Sequence, residues 1–235
     1  MSVIHHPNVV NDGLIACWDA ANRVSYPGTG TTWYEAISHS PSTRFASEIN
    51  FSTANAGVMV FDGTDDGVVT SINSPTGDFA IECWIYQETQ LYDHQFVANY
   101  VIGAFSLGCL SSTAKLKLDL KEDDGGSAGD QTNVFDNVDI SSYISVDTWH
   151  HYVATRTGSA VTGYIDGVVV TTATYAPTLF PGVLSLGIQQ SASSPGVGYN
   201  HGLEGKMGPV RIYEKGLTAA EVLQNYDAMK YRFNL

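Results

Sequence analysis

Short runs of β-branched and aromatic residues, separated by Gly, Asn, Asp and Ser, set the pattern of the chain: strands joined by turns. The runs predict strands near 14–20 (LIACWDA), 58–61 (VMVF), 67–72 (GVVTSI) and 79–87 (FAIECWIYQ). More follow in QFVANYV, AFSLGCL, AKLKLDLK, HHYVATRT, AVTGYID, VVVTTATY, VLSLGI and GPVRIY. In AKLKLDLK the period is two. Leu116, Leu118 and Leu120 go to the core and Lys115, Lys117, Asp119 and Lys121 to water, which makes a half-buried strand.

The stretch DTWHHYVATRTGSAVTGYIDGVVV (147–170) carries adjacent His150 and His151, which suggest a metal pair or an acid/base pair. Asp166-Gly167 is a favoured two-residue hairpin turn, where φ must be positive, and Gly158-Ser159 marks another turn. The segment therefore reads as a meander of strands at about 149–156, 161–165 and 168–174. Successive strand side chains alternate between faces, so the two histidines point to opposite sides of the sheet and cannot hold one ion together.

One helix is predicted, at about 218–230. Thr218 is the N-cap, Glu221 completes a capping box, and Leu217 and Val222 take the staple positions. Val222, Leu223, Tyr226 and Met229 form its apolar stripe. Many strands and one terminal helix predict an all-β fold, a single β-sandwich of antiparallel sheets. Residues 1–12 read as an N-terminal arm and 13–235 as one domain. SASSPGVGYNHG (191–202) reads as a long loop between strands.

The 235 residues suffice for a large core without disulfides or metals. Cys17, Cys83 and Cys109 all sit in apolar, strand-like contexts and read as buried free thiols. The N-terminal stretch lacks a basic region, an apolar h-region and a small-residue cleavage site, so no secretory signal is expected. Assembly in a reducing cytoplasm follows as an expectation. No apolar run is long enough to cross a bilayer as a helix. A net charge of −13 disfavours a nucleic-acid partner. Residues 119–139, which hold much of that charge, read as a solvated loop.

Four blocks, in order, resemble the laminin-G-like jelly rolls of the concanavalin A-like lectin/glucanase superfamily. They are GLIACWDAANRVSYPGTGTTWYE (13–35), VFDGTDDGVV (60–69) with FAIECWIY (79–86), TWHHYVATRTGSAVTGYIDGVVV, and GPVRIYEKGLTAAEVLQNYDAMKYRF (208–233). The first and last are similar to jelly-roll modules of tailed bacteriophages and marine viruses, where such modules serve as capsid decorations, fibres or tail appendages. Gly67 departs from the family pattern, which usually has an aromatic there. Gly208-Pro209 stands where an acidic residue often supports a structural calcium site, which counts against calcium.

Some relatives of this fold cleave polysaccharides, a reaction that needs two carboxylates about 5–9 Å apart. Glu82 and Glu88 flank CWIYQ with no acid between them, and the superfamily's Glu-x-Asp-x-x-Glu motif is missing. Glu82 reads as a strand residue paired with a neighbour, and the protein as no enzyme. Calcium has two candidate sites: Asp62, Asp65 and Asp66, or Asp123, Asp124 and Asp130. The first set is equally good turn chemistry. Glycan or partner contacts are assigned to Tyr92, His94, Tyr175, Phe180, Tyr199 and His201, rings in loops able to stack on sugars. The competing reading has these rings packed over the sandwich edge. Trp18, Trp33, Trp84 and Trp149 are assigned to the core.

The resemblance implies a non-enzymatic virion protein acting by docking and glycan adhesion. A stand-alone lectin is the alternative, and a glycoside hydrolase or lyase the remaining one. Its partners would be capsid or tail subunits and cell-surface or environmental glycans, with the arm and the loops at one end as docking elements. A symmetric homo-oligomer such as a trimer is expected, with the virion as its location and neither nucleic acid nor membrane as partner.

Overall fold

The computed structural model describes residues 7–44, 50–89, 94–99, 105–110, 114–125, 128–190, 199–200 and 202–235. Its strands are β1 (Leu14–Trp18), β2 (Thr32–Tyr34), β3 (Pro41–Arg44), β4 (Asn50–Ser52), β5 (Val58–Asp62) and β6 (Val68–Asn73). They continue as β7 (Phe79–Gln87), β8 (His94–Asn99), β9 (Phe105–Leu110), β10 (Lys115–Asp123), β11 (Ala128–Asp139) and β12 (Trp149–Thr157). The rest are β13 (Ala160–Ile165), β14 (Val168–Thr174), β15 (Val183–Leu186), β16 (Gln189–Gln190), β17 (Tyr199–Asn200) and β18 (Glu204–Tyr213), then helix α1 (Ala219–Met229) and a 3-10 turn (Lys230–Phe233).

Two eight-stranded antiparallel sheets face each other. The first runs β14-β13-β12-β7-β18-β5-β4, with β1 also paired to β18, and the second runs β11-β10-β9-β8-β15-β6-β3-β2. Side chains from the facing sheets fill one core, among them Trp18, Ile81, Cys83, Ile85, Tyr152 and Ile212 against Phe105, Leu107, Leu116, Leu118, Leu120 and Leu186. This is the expected jelly-roll sandwich. The meander is β12-β13-β14, and Asp166 (φ 52) and Gly167 (φ 80) both take the left-handed backbone that the hairpin turn requires.

β7 and β12 are buried along nearly their whole length rather than at alternate residues. The reason is that their sheet is covered on both faces. On the outer side, Ala80, Val153, Tyr164 and Tyr213 pack against Val10, Leu217 and Val222. Beside them Trp84 and Trp149 pack against Val58 and Phe233. All four tryptophans are buried, two in the inter-sheet core and two beneath the C-terminal segment. Gly208 serves that cover: a Cβ there would lie 2.8 Å from the Phe233 ring and 3.1 Å from Trp84 Cβ. With Pro209 it forms the irregularity between Met207 and Val210 where β18 pairs β7, a place where proline is tolerated.

The helix starts as expected. Thr218 caps it, and its capping box with Glu221 is complete. The stripe is different, because Leu223 is 46 % exposed while Asn225 is fully buried. Val222 and Asn225 form the helix's buried face, since the helix covers polar groups as well as apolar ones.

Two further expectations are corrected. Residues 128–139 form β11, an edge strand held by Phe135 in the core, so only the 124–125 tip of the acidic stretch is a described turn. Asp119 is 2 % exposed, its carboxylate 2.8 Å from Lys117 Nζ, so it does not face water. The arm's described part, residues 7–12, packs on its own chain. Val10 N–H donates to Asn225 Oδ1 (2.7 Å), Tyr213 OH donates to the Val10 carbonyl (3.1 Å), and Gln224 Nε2 to the Asn8 carbonyl (2.7 Å).

Candidate functional site

Antiparallel strands of similar length send alternate connections to opposite ends of the sandwich. One end gathers the β5–β6 turn, Gln87 and Glu88 after β7, residues 140–148, the β13–β14 turn and the start of β18. These elements are tied by Gly63 N–H to the Leu203 carbonyl (2.9 Å), Glu88 N–H to the Glu204 carbonyl (3.1 Å) and Asp147 N–H to the Gln87 carbonyl (2.9 Å). The other end holds residues 74–78, the β12–β13 turn, residues 175–182 and Glu214, tied by Leu179 N–H to the Thr76 carbonyl (2.9 Å) and Tyr175 N–H to the Ser159 carbonyl (2.8 Å).

Of the predicted ring set, Tyr175 and Phe180 stand at this second end. Tyr92 and His201 lie outside the described residues, and Tyr199 is placed by its backbone alone, in register with Gln190. His94, in register with Cys109, is fully buried in β8 and offers no ring face to a sugar. Tyr175 is 7 % exposed, its ring held under the Arg156 guanidinium at 5.9 Å. Phe180, half-buried at the same end as Tyr175, keeps an accessible edge. The stacking role assigned to His94 and Tyr175 is thus replaced by a packing role.

Two rings that the sequence reading passed over stand at the first end. Tyr143 is 42 % exposed. Tyr86 is half-buried, with Lys206 Nζ 4.1 Å from its ring centre and its hydroxyl donating to Asp147 Oδ1 (3.3 Å). An isolated aromatic in the polar run DISSYISVD is the signal that could have found Tyr143.

That end also carries the carboxylate turn. Asp62, Asp65 and Asp66 can each place one carboxylate oxygen within 4.8 Å of the others. The turn itself uses some of these oxygens: Asp62 N–H donates to Asp66 Oδ2 (3.0 Å) and Thr64 N–H to Asp62 Oδ1 (2.8 Å). Gly63 (φ 78) sits against Glu204, where a side chain would collide. The donor set fits a hard divalent cation in kind, and the turn is also held by hydrogen bonds of its own. Of the second acidic set, Asp123 and Asp124 are exposed at the opposite end, and the Asp130 side chain lies outside the described residues.

Glu82, the carboxylate a hydrolase reading would use first, is enclosed. Its Oε1 is bound by Arg211 Nη1, and its Oε2 accepts from Asn225 Nδ2 (2.7 Å) and lies 3.4 Å from His151 Nε2. Burial pushes this carboxyl's pKa up, but the Arg211 guanidinium and His151 outweigh it and hold it down at about 2. At nearby Cys17 burial dominates over the lowering by Arg211 and lifts the thiol to about 11. His151 stacks on Trp84 at 4.9 Å on this outer face. His150, in register with core residue Ile85, belongs to the inner face, so the two histidines separate as expected.

The family model for the laminin-G group of concanavalin A-like lectins and glucanases matches residues 61–223. The chain belongs to this superfamily. No curated protein sequence matches the chain. Among solved structures it resembles domain 4 of AbnA, an extracellular arabinanase from Geobacillus stearothermophilus solved with arabinotriose (16 % identity, TM-score 0.65, covering 91 % of this chain and 98 % of that one). It also resembles the binding domain of botulinum neurotoxin DC solved with SialylT (14 %, TM-score 0.64, 94 % and 52 %). A third is Trypanosoma rangeli sialidase with sialic acid (12 %, TM-score 0.64, 99 % and 37 %). At these identities the likeness is one of fold. The superfamily member described here spans about half or less of the toxin domain and the sialidase.

Proposed function

We propose that this laminin-G-like chain is a non-enzymatic adhesion module that binds glycans at the end of the sandwich bearing Asp62, Tyr86 and Tyr143. The observation that carries this reading is the fate of Glu82. The interior acid of β7 is spent on Arg211, Asn225 and His151 and is closed to any substrate. What the rim offers instead is ring faces and carboxylates, the groups that take sugar C–H faces and hydroxyls. Individually weak sites of this kind give useful avidity when displayed in several copies.

The setting we propose is a bacteriophage virion, with the chain as a capsid decoration, fibre or tail appendage docked on capsid or tail subunits as a homo-oligomer. This rests on the likeness of residues 19–35 and 217–233 to phage modules. A stand-alone lectin differs from it in location alone, so purified particles probed for this chain distinguish the two.

The adhesion reading is tested on a glycan array with the full chain. Tyr143→Ala is expected to weaken any glycan bound by at least fivefold, and Phe180→Ala, at the far end, to leave it unchanged. Equal loss in both would place binding elsewhere, and sugar released from alginate, laminarin or host capsule would overturn the non-enzymatic reading. Because the Asp62–Asp66 turn is also held by hydrogen bonds of its own, EDTA is expected to shift Tm by less than about 2 °C. A tightly held calcium would instead contribute ~3 kcal/mol or more, a drop of several degrees.

A further inference from the structure

His150 ends a chain of three groups that no part of the adhesion reading uses. Its Nδ1 lies 2.7 Å from Asp166 Oδ2, and its Nε2 accepts the Ser145 N–H at 3.0 Å. A backbone N–H can only donate, so Nε2 is unprotonated and the proton sits on Nδ1, donated to Asp166. Asp166 is fixed in turn, because its Oδ1 accepts the His151 N–H (2.8 Å) and its own N–H donates to the His151 carbonyl (2.9 Å). The ring is 8 % exposed, and the arrangement admits one neutral tautomer and no other.

We propose that His150 is a protonation-controlled latch on the 145–148 turn at the rim. With Nε2 unprotonated, the imidazole holds the Ser145 amide and the turn is closed. A proton taken from solvent onto Nε2 makes that atom a donor facing a donor. The Ser145 bond is lost while the Asp166 pair becomes charge-assisted and stronger. Protonation therefore opens one side of the ring and tightens the other, which releases the turn without dismantling the sheet.

The turn is built to respond. Asp147 holds left-handed backbone (φ 57), an uncommon conformation for a residue other than glycine, which the surrounding bonds must maintain. Its carboxylate accepts from Tyr86 OH, and Ser145 Oγ donates to Thr148 Oγ1 (3.1 Å). Ile144, buried in the core, anchors the segment just before the turn and limits what moves to the residues after it. Opening changes the Asp147 contact and thus the setting of Tyr86, so acid alters the rim itself.

The groups around His150 set the direction of the response. From the β13–β14 turn Asp166 pairs with Nδ1, and the Asp147 carboxylate, in the same turn as Ser145, is taken by Tyr86 OH. On β12 the neighbouring His151 faces Glu82 on the opposite side of the sheet, and the Tyr152 hydroxyl is engaged by Gln87 (2.9 Å). From α1 the Tyr226 phenol sits within the field of Asp166; burial and that charge push it up, so it stays neutral. The latch is independent of whether the rim binds sugar.

NMR on the labelled full chain tests it. As the pH is lowered from about 8 to 5, the Ser145 amide is expected to lose at least tenfold of its protection, after correction for intrinsic exchange. Its shift should move with the same midpoint as the His150 ring carbons, while Val153 within β12 is unchanged. His150→Gln, whose amide can still accept the Ser145 N–H but takes up no proton in this range, is expected to leave the Ser145 amide protected throughout. The proposal is overturned if Ser145 stays protected while His150 titrates, if His150 stays neutral until the protein unfolds, or if Ser145 loses its protection over the same range in His150→Gln.

Discussion

A carboxylate with no water contact persists only where its lone pairs and its charge are both answered, and Glu82 meets each demand with a named partner. Removing one member of such a pair leaves the other charge buried and alone. Glu82→Gln is accordingly expected to cost about 3–5 kcal/mol in urea unfolding. Glu82→Gln combined with Arg211→Met should cost less than Glu82→Gln alone, because the stranded guanidinium is gone. The pH dependence has a fixed sign. The folded carboxyl titrates at about 2, below its ordinary 4.5, so its contribution is complete above pH 4.5 and fades as pH falls toward 2. The stability gap between wild type and Glu82→Gln should therefore narrow between pH 5 and pH 3; a constant gap would mean that Glu82 is not the titrating group. Half of this site was legible. A lone acid inside FAIECWIY must be paired to be buried, but Arg211 stands 129 positions away, and no local pattern points to it.

At the scale of elements, α1 and the N-terminal arm close the outer face of the first sheet together, and Asn225 joins them. Its amide oxygen takes the Val10 N–H, and its amide nitrogen reaches both Glu82 and the Tyr213 hydroxyl (3.0 Å). Asn225→Ala leaves the buried Val10 N–H without a partner and Glu82 Oε2 with His151 alone, at a cost of about 2–3 kcal/mol or more. It should also expose residues 7–12 to protease while the sandwich stays intact. Thr218→Ala removes only the cap, for about 1 kcal/mol, and should leave the arm protected. The helix was legible because capping is written in adjacent residues. Its buried face was not, since a buried asparagine has the hydropathy of a surface residue, and the pattern therefore placed Leu223 inward. β11 was hidden for a related reason: edge strands carry polar residues to discourage pairing with other chains, so AGDQTNVFDNVD looks like a loop until Phe135 is seen in the core.

For the whole molecule, strand count decides what can work together. Each strand moves the chain from one end of the sandwich to the other. Between the carboxylate turn and Tyr175 the sequence predicts eight strands where the structure has nine, β6 to β14, and the missed β11 is what hides that Tyr175 and Phe180 stand opposite that rim. Charge, by contrast, was legible from composition, and it constrains the ligand. The chain carries −13 overall. At the rim Asp62, Asp65, Asp66, Glu88, Asp147 and Glu204 stand against Lys206, whose ammonium is itself drawn to Glu88 (3.1 Å) and the Tyr86 ring. Such a surface repels anionic sugars over a distance set by salt, roughly 8 Å at physiological ionic strength and longer below it. Neutral glycans feel no such field. Affinity for a neutral glycan is therefore expected to stay constant between about 20 and 150 mM salt, whereas any sialylated or uronic-acid ligand should bind several-fold better at the higher value. Titrations at the two ionic strengths check this, and an anionic glycan that binds more tightly at low salt would mean that the sugar meets Lys206 or another cation rather than the acidic rim.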